Sequence, residues 1–230
     1  MDSVYHIPAM LEETLQGLIT NPEGIYVDVT LGGGGHSRAI YERLGENGQL
    51  FSFDQDKEAI ENMLKQNAPC AKWQLVHGNF RFLTNFMDYY GIEQVDGVLA
   101  DLGVSFHHFD TPERGFSFRF DAPLDMRMNQ QAGRTAADIV NSYDEESLAR
   151  VLYIFGEMKN ARQVARRIVK ARSTNPIATT EQFAEICQVQ KKDLAQLFQA
   201  LRIEVNDEMG ALREMLEGAL QLLKPGGRLA

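Results

Sequence analysis

Val27-Asp28-Val29-Thr30-Leu31-Gly32-Gly33-Gly34-Gly35-His36-Ser37 is the stretch whose reading decides the fold. A strand-like run from Ile25 to Thr30 passes into four consecutive glycines, and helix-like residues follow as far as Leu44. Glycines directly after a first strand let the backbone approach a ligand closely, because no Cβ intervenes. In an open α/β sheet this turn lies at the carboxyl edge, where ligands bind. The spacing is not that of a dinucleotide site. G-x-G-x-x-G would need glycines at 32, 34 and 37, and position 37 is Ser37. The plainer alternative is a flexible turn.

Outward from this stretch the chain alternates. Pro8 to Leu18 reads as a helix with Met10, Leu11, Leu15 and Leu18 on one face. Gln49 to Asp54 is a second strand, Glu58 to Asn67 a helix, Trp73 to His77 a third strand, Phe80 to Tyr90 a helix, and Val95 to Leu102 a fourth strand. This βαβαβαβ order predicts an open parallel sheet with helices on both faces. The alternation then stops. Ser105 to about Asp125 is irregular and rich in Phe, Asp and Arg, and from Thr135 to about Cys187 the chain reads as successive helices. Thr135 and Thr180 read as caps. A long helix from about Leu194 to Leu223, broken near Asn206 or Gly210, meets a stop and turn at Lys224-Pro225-Gly226-Gly227. Arg228-Leu229-Ala230 then looks like the start of a fifth strand, so the expectation is a fragment of a longer chain.

The fold class expected is therefore α/β, a Rossmann-like sheet with an inserted all-helical domain. The expected boundaries are 1–104 for the first part of the sheet domain, 105–201 for the helical insertion and 202–230 for an incomplete return.

Hydrophobic residues make up 44% and charged ones 24% of 230 residues, which excludes collagen-like, disordered and disulfide-scaffold classes. Cys70 and Cys187 stand far apart and belong to no ligand cluster, so no metal site is expected and a reducing, cytoplasmic setting is. The opening residues lack the basic and apolar regions of a signal peptide, and no run approaches the roughly 20 apolar residues of a membrane span. The net charge of −9 argues against a nucleic-acid partner until it is divided along the chain. Residues 1–111 hold 6 basic and 16 acidic residues, 112–204 hold 14 and 12, and 205–230 hold 3 and 4. The acidity belongs to the first half.

Three side chains fall where a ligand in such a sheet would be met. Asp54 ends the second strand, where an acid can accept ribose hydroxyls. Asp56 reads as a helix cap. Phe80, after the third strand, would lie against an adenine ring or in the core. Asp101 ends the fourth strand and would face a ligand's reactive end, or merely cap its loop.

These features resemble a class I S-adenosylmethionine-dependent methyltransferase, and longer motifs narrow the match. Tyr5-His6-Ile7-Pro8-Ala9-Met10-Leu11, Gly34-Gly35-His36-Ser37, Asp101-Leu102-Gly103-Val104-Ser105 and Glu113-Arg114-Gly115-Phe116-Ser117-Phe118 are four of them. Pro123-Leu124-Asp125-Met126-Arg127-Met128 and Phe198-Gln199-Ala200-Leu201-Arg202-Ile203-Glu204-Val205-Asn206 are the longest. Together they resemble the bacterial small-subunit (16S) ribosomal RNA cytosine-N4 methyltransferase family (RsmH, formerly MraW), over essentially the whole chain. The resemblance implies S-adenosylmethionine as cofactor. It implies that Gly34, Gly35 and His36 hold its methionine end, Asp54 its ribose and Phe80 its adenosine side, with Asp101 as a further contact. His108 falls where the family usually has a Gln cofactor contact, and Lys191 to Leu197 replaces a His-Pro-Ala-Thr-Arg-Thr stretch. Family members continue past the final turn into a His-Ser-Leu-Glu-Asp-Arg motif and a basic tail.

The substrate so implied is 16S ribosomal RNA, within a small ribosomal subunit or its precursor, with no membrane; a homodimer stays open. The cytosine N4 lone pair is delocalised into its ring, so an acceptor for the amine hydrogen would help it react, and Asp101 is the candidate catalytic residue by position. Phe116, Phe118 and Phe120 would stack on the base or pack between lobes. From Lys159 to Arg172 there are six basic residues and no acid, and Arg162, Arg166 and Lys170 share a helix face. The alternatives are a methyltransferase on another substrate, and a truncated form that binds cofactor without activity.

Overall fold

The computed structural model describes residues 8, 10–66, 71–104, 109–131 and 133–230. Residues of the first motif up to Ile7, Ala9, Cys70, and Ser105, Phe106, His107 and His108 lie outside the described residues.

Five strands form one parallel sheet: β1 (Ile25–Asp28), β2 (Gln49–Asp54), β3 (Trp73–His77), β4 (Val95–Leu99) and β5 (Leu223–Leu229), in the order β3-β2-β1-β4-β5. The order reverses at β1, which puts the carboxyl ends of β1 and β4 at a topological switch point. α1 (Leu11–Leu18) precedes β1, and between the first four strands run α2 (Gly35–Arg43), α3 (Lys57–Lys65) and α4 (Leu83–Tyr89), the last preceded by a 3₁₀ turn at Phe80–Phe82.

Period-two alternation sorts the strand residues onto two faces. Tyr26, Leu50 and Trp73 pack with Leu15, Leu18, Ile40, Ile60 and Met63. Val27, Phe51, Phe53, Val76 and Val98 pack with Leu83 and Met87 of α4 and with Met215, Ala219 and Leu222. Those last three belong to α10 (Glu208–Leu222), so the sheet is covered on both sides.

β5 departs from expectation. Lys224-Pro225-Gly226-Gly227 lies within the strand as a bulge: Val95 pairs with Leu223 and Gly97 already with Arg228. Gly226, at φ +85°, supplies the left-handed turn of this bulge.

The chain divides into two compact units, one of residues 1–103 with 210–230 and one of residues 104–209. The second is helical: α5 (Ala136–Ser142), α6 (Glu145–Ile154), α7 (Ala161–Arg172), α8 (Thr180–Cys187) and α9 (Lys191–Asn206). Its core joins Leu124, Met126, Ile139, Leu152, Val164, Phe183 and Leu201. The return to the sheet unit falls at Gly210 rather than at 202 because the end of α9 is tied inside the helical unit. Asn206 Nδ2 donates to the Met126 carbonyl at 2.9 Å, and its Oδ1 accepts the Met128 N–H at 2.8 Å. The buried Arg114 guanidinium donates to the carbonyls of Arg127 and Met128. Residues from three of the six motifs thus meet in a clasp around Met126, whose φ of +62° is strained for a non-glycine residue.

Local expectations meet mixed outcomes. Thr135 caps α5 in a capping box with Asp138, and Asp56 caps α3. The cap of α8 is Thr179, not Thr180. Thr180 is the first helical residue; its buried hydroxyl donates to the Phe120 carbonyl and accepts the Ala122 N–H, so the irregular segment is tied to α8. The long helix breaks at Asp207, at φ +46°.

Candidate active site

The four glycines leave β1 and enter α2. Gly34 adopts φ +79°, in the left-handed region that glycine takes without strain, and it packs against the Met63 side chain. Above Gly33 a Cβ would meet nothing within 4 Å, and above Gly32 only the Thr30 carbonyl at 3.9 Å. Among the described residues, Gly32 and Gly33 therefore present bare backbone with open space beside it, whereas Gly34 and Gly35 pack against Met63 and Pro8.

Asp54, at the end of β2, braces this loop. One carboxylate oxygen accepts the Gly32 N–H at 2.9 Å and the other the Asp56 N–H at 2.8 Å. Phe80 is half-buried, packs on the core beside α4, and opens the turn that Asn79 caps.

His36 lies in the first turn of α2, 92% buried by its 8% side-chain exposure. Its Nδ1 stands 3.6 Å from Asp101 Oδ2, while the Asp101 side chain is 57% exposed. The structure thus brings the glycine loop and the acid after β4 together. His36 Nε2 is buried without a hydrogen-bond partner among the described residues. A buried orphan of this kind calls for a ligand or water.

Sequence reasoning passed over the most buried acid. Asp28, fully buried at the end of β1, lies opposite Ser52 of β2 and Leu99 of β4. One of its oxygens accepts from the Thr30 N–H at 3.0 Å and the Thr30 hydroxyl at 3.2 Å; the other accepts from the Ser37 hydroxyl at 2.6 Å. Ser37 Oγ lies 2.7 Å from Ser52 Oγ, which accepts the Trp73 Nε1–H at 2.9 Å. Thr30 Oγ1 in turn accepts the Asp101 N–H at 2.7 Å. Burial pushes the Asp28 carboxyl up, although its hydrogen bonds and His36 pull the other way. The available signal was a charged residue inside an apolar strand followed by two hydroxyl residues at 30 and 37.

In the helical unit the basic run is split by orientation. Arg162, Arg166 and Lys170 are exposed on α7, and Arg166 reaches Glu145 at 3.4 Å. Arg167 instead donates to the carbonyls of Cys187 and Gln188 at the end of α8, and Arg172 to that of Val140 in α5. These two are helix caps rather than surface charge. The three phenylalanines also separate. Phe116 is buried in the helical core beneath Arg114, whereas Phe118 is 36% and Phe120 47% exposed. Cys187 is buried, which pushes its thiol up and leaves it inert. Among the described residues no His, Cys, Asp and Glu group is placed to hold a metal ion, and no helix is long and apolar enough to cross a membrane.

The residues present fit a nucleoside-bearing cofactor: bare backbone at Gly32 and Gly33, an acid at the end of β2 and another after β4, and a buried imidazole nitrogen without a partner among the described residues.

A model of the MraW methylase family matches residues 3–230. The Ribosomal RNA small subunit methyltransferase H of Bacteroides thetaiotaomicron is 57% identical over 231 residues, covering 98% of this chain and 75% of that protein. That of Parabacteroides distasonis is 58% identical over 235 residues, covering 99% and 76%. Among solved structures, Aeropyrum pernix fibrillarin with natively bound S-adenosyl-L-methionine aligns at 11% identity over 72% of this chain and 70% of that one, at a TM-score of 0.33, too slight a likeness to argue from. The chain belongs to the MraW methylase family, and so to the class I S-adenosylmethionine-dependent methyltransferases.

Proposed function

We propose that this methyltransferase modifies the exocyclic N4 of a cytosine in 16S ribosomal RNA: the names of its relatives support a small-subunit ribosomal RNA substrate, and the resemblance of its sequence motifs to the cytosine-N4 family supports the base and the atom. The observation that carries the reading is the largely exposed Asp101 carboxylate, 3.6 Å from the buried His36 at the glycine loop. Gly34, Gly35 and His36 hold the methionine end of the cofactor, Asp54 its ribose and Phe80 its adenosine side. S-adenosylmethionine supplies, when bound, an activated methyl on a sulfonium. Asp101 accepts a hydrogen bond from the N4 amine, which localises the nitrogen lone pair, and takes up the proton that N4 must lose.

A base must leave its stack for its N4 to meet the methyl group. Residues 104–209 are the substrate-recognition part of the chain. Arg162, Arg166 and Lys170 neutralise phosphates, and the exposed Phe118 and Phe120 offer faces to unstacked bases.

The test is transfer of a tritiated methyl from S-adenosylmethionine to undermethylated small ribosomal subunits. Label in the RNA fraction supports the reading. Label in protein alone, or binding of cofactor without transfer, overturns it.

A further inference from the structure

We infer that Asp28 is the positioning residue for both halves of the site, its two carboxylate oxygens serving different ends: one sets Asp101 through Thr30, the other sets the first turn of α2, and with it His36, through Ser37. The inference rests on the proposal that Asp101 acts on the substrate and the glycine loop on the cofactor.

With Asp28 ionised, the donors and acceptors allow one direction of hydrogen bonding. The Trp73 indole N–H can only donate and a carboxylate can only accept. Each hydroxyl donates once, so Trp73 donates to Ser52, Ser52 to Ser37, and Ser37 to Asp28. On the other side the Asp101 N–H donates to Thr30, and Thr30 to Asp28. Two donor chains end on one group, and that group must accept on both sides. An Asn at 28 would turn an NH₂ toward one arm. Facing Ser37, it would reverse that hydroxyl and leave the Ser52 hydrogen without an acceptor. Facing Thr30, it would oppose two donors. The arms also reach different parts of the site. Ser37 follows His36 directly in α2, whereas Thr30 holds the backbone of Asp101, 71 residues further along the chain. A carboxylate with a merely stabilising role would give no reason for the two arms to have different kinetic effects.

The experiment uses Thr30→Val, Thr30→Ser, Ser37→Ala and Asp101→Ala in the full chain. Methyl transfer to undermethylated small subunits gives kcat, calorimetry gives the Kd of S-adenosylmethionine, and emission of Trp73, the only tryptophan, reports on the Ser52 arm. Misplacing a reacting group by a fraction of an ångström has large kinetic effects, so Thr30→Val should lower kcat about tenfold or more with Kd within about twofold. Thr30→Ser, which keeps the hydroxyl, should restore most of that loss. Ser37→Ala should weaken cofactor binding about tenfold with a smaller change in kcat, by the same argument from displaced contacts. It should also shift Trp73 emission, which Thr30→Val leaves unchanged. Equal losses of kcat and affinity in both variants would overturn the inference, as would no loss in either while Asp101→Ala abolishes turnover. Wild-type turnover in Asp101→Ala would instead overturn the proposed role of Asp101 and the Thr30 arm with it. The Ser37 arm is then judged by Kd alone.

Discussion

Asp101 carries the most weight of any single side chain, because it combines an exposed carboxylate with a backbone fixed by Thr30 and a neighbouring buried imidazole. Asp101→Ala is expected to abolish measurable turnover while weakening S-adenosylmethionine binding less. Kinetics beside calorimetry checks this, and equal losses would reassign Asp101 to cofactor binding alone. Phe120→Ala is expected to weaken RNA binding by about 1–3 kcal/mol, the range for loss of one base–aromatic stack, with cofactor affinity unchanged. Filter binding at fixed salt measures it. At this scale the sequence made the carboxyl-edge acids legible, because strand ends can be read from periodicity. It could not separate Phe116 from Phe118 and Phe120, since alternation in an irregular segment does not say which ring meets a core. Asp28 was missed for a related reason: the hydroxyl chain that ends on it runs from Ser37 through Ser52 to Trp73, and Ser52 and Trp73 come from strands distant in sequence that only the sheet brings together.

Secondary elements show where pattern suffices and where tertiary contact decides. The capping box of α5 was visible in Thr135, and Thr135→Ala should cost about 1 kcal/mol of stability in urea unfolding. The α7 stripe was legible as charge but not as surface, since Arg167 and Arg172 turn inward to cap neighbouring helices. Reversing Arg162, Arg166 and Lys170 to Glu should therefore weaken RNA binding and flatten its log–log salt dependence by up to about 0.7 per lost phosphate contact, with folding intact. Reversing Arg167 and Arg172 should lower the melting temperature instead. The joint between β4 and β5 is a pH test. Asp96 accepts from Lys224 Nζ at 2.7 Å and from the Ile25 N–H at 2.8 Å. Burial disfavours its charge, but these partners outweigh burial and hold its carboxyl below the usual range. A lowered folded pKa gives stability that is complete above the unfolded value and lost as pH falls through the folded one. Asp96→Asn should thus be less stable than the parent chain at neutral pH, and the gap should close below about pH 4. Urea midpoints at both pH values decide it.

Over the whole molecule the division of charge and the division into units coincide closely. The acidic first half builds the sheet and the glycine loop, while the less acidic middle builds the helical unit. The alternating pattern made the parallel sheet legible, yet not its order, because β5 arrives only after the helical unit and pairs with β4 across a bulge. The expected return at 202 and the observed one at 210 differ because Asn206 belongs to the clasp on Met126. The central claim is cytosine N4 methylation of 16S ribosomal RNA, and nucleoside analysis of the labelled product tests it most directly. Small subunits methylated by this chain with tritiated S-adenosylmethionine are digested to nucleosides and separated by chromatography. The account predicts label co-migrating with N4-methylcytidine; label in another nucleoside, or none in the RNA, would contradict it.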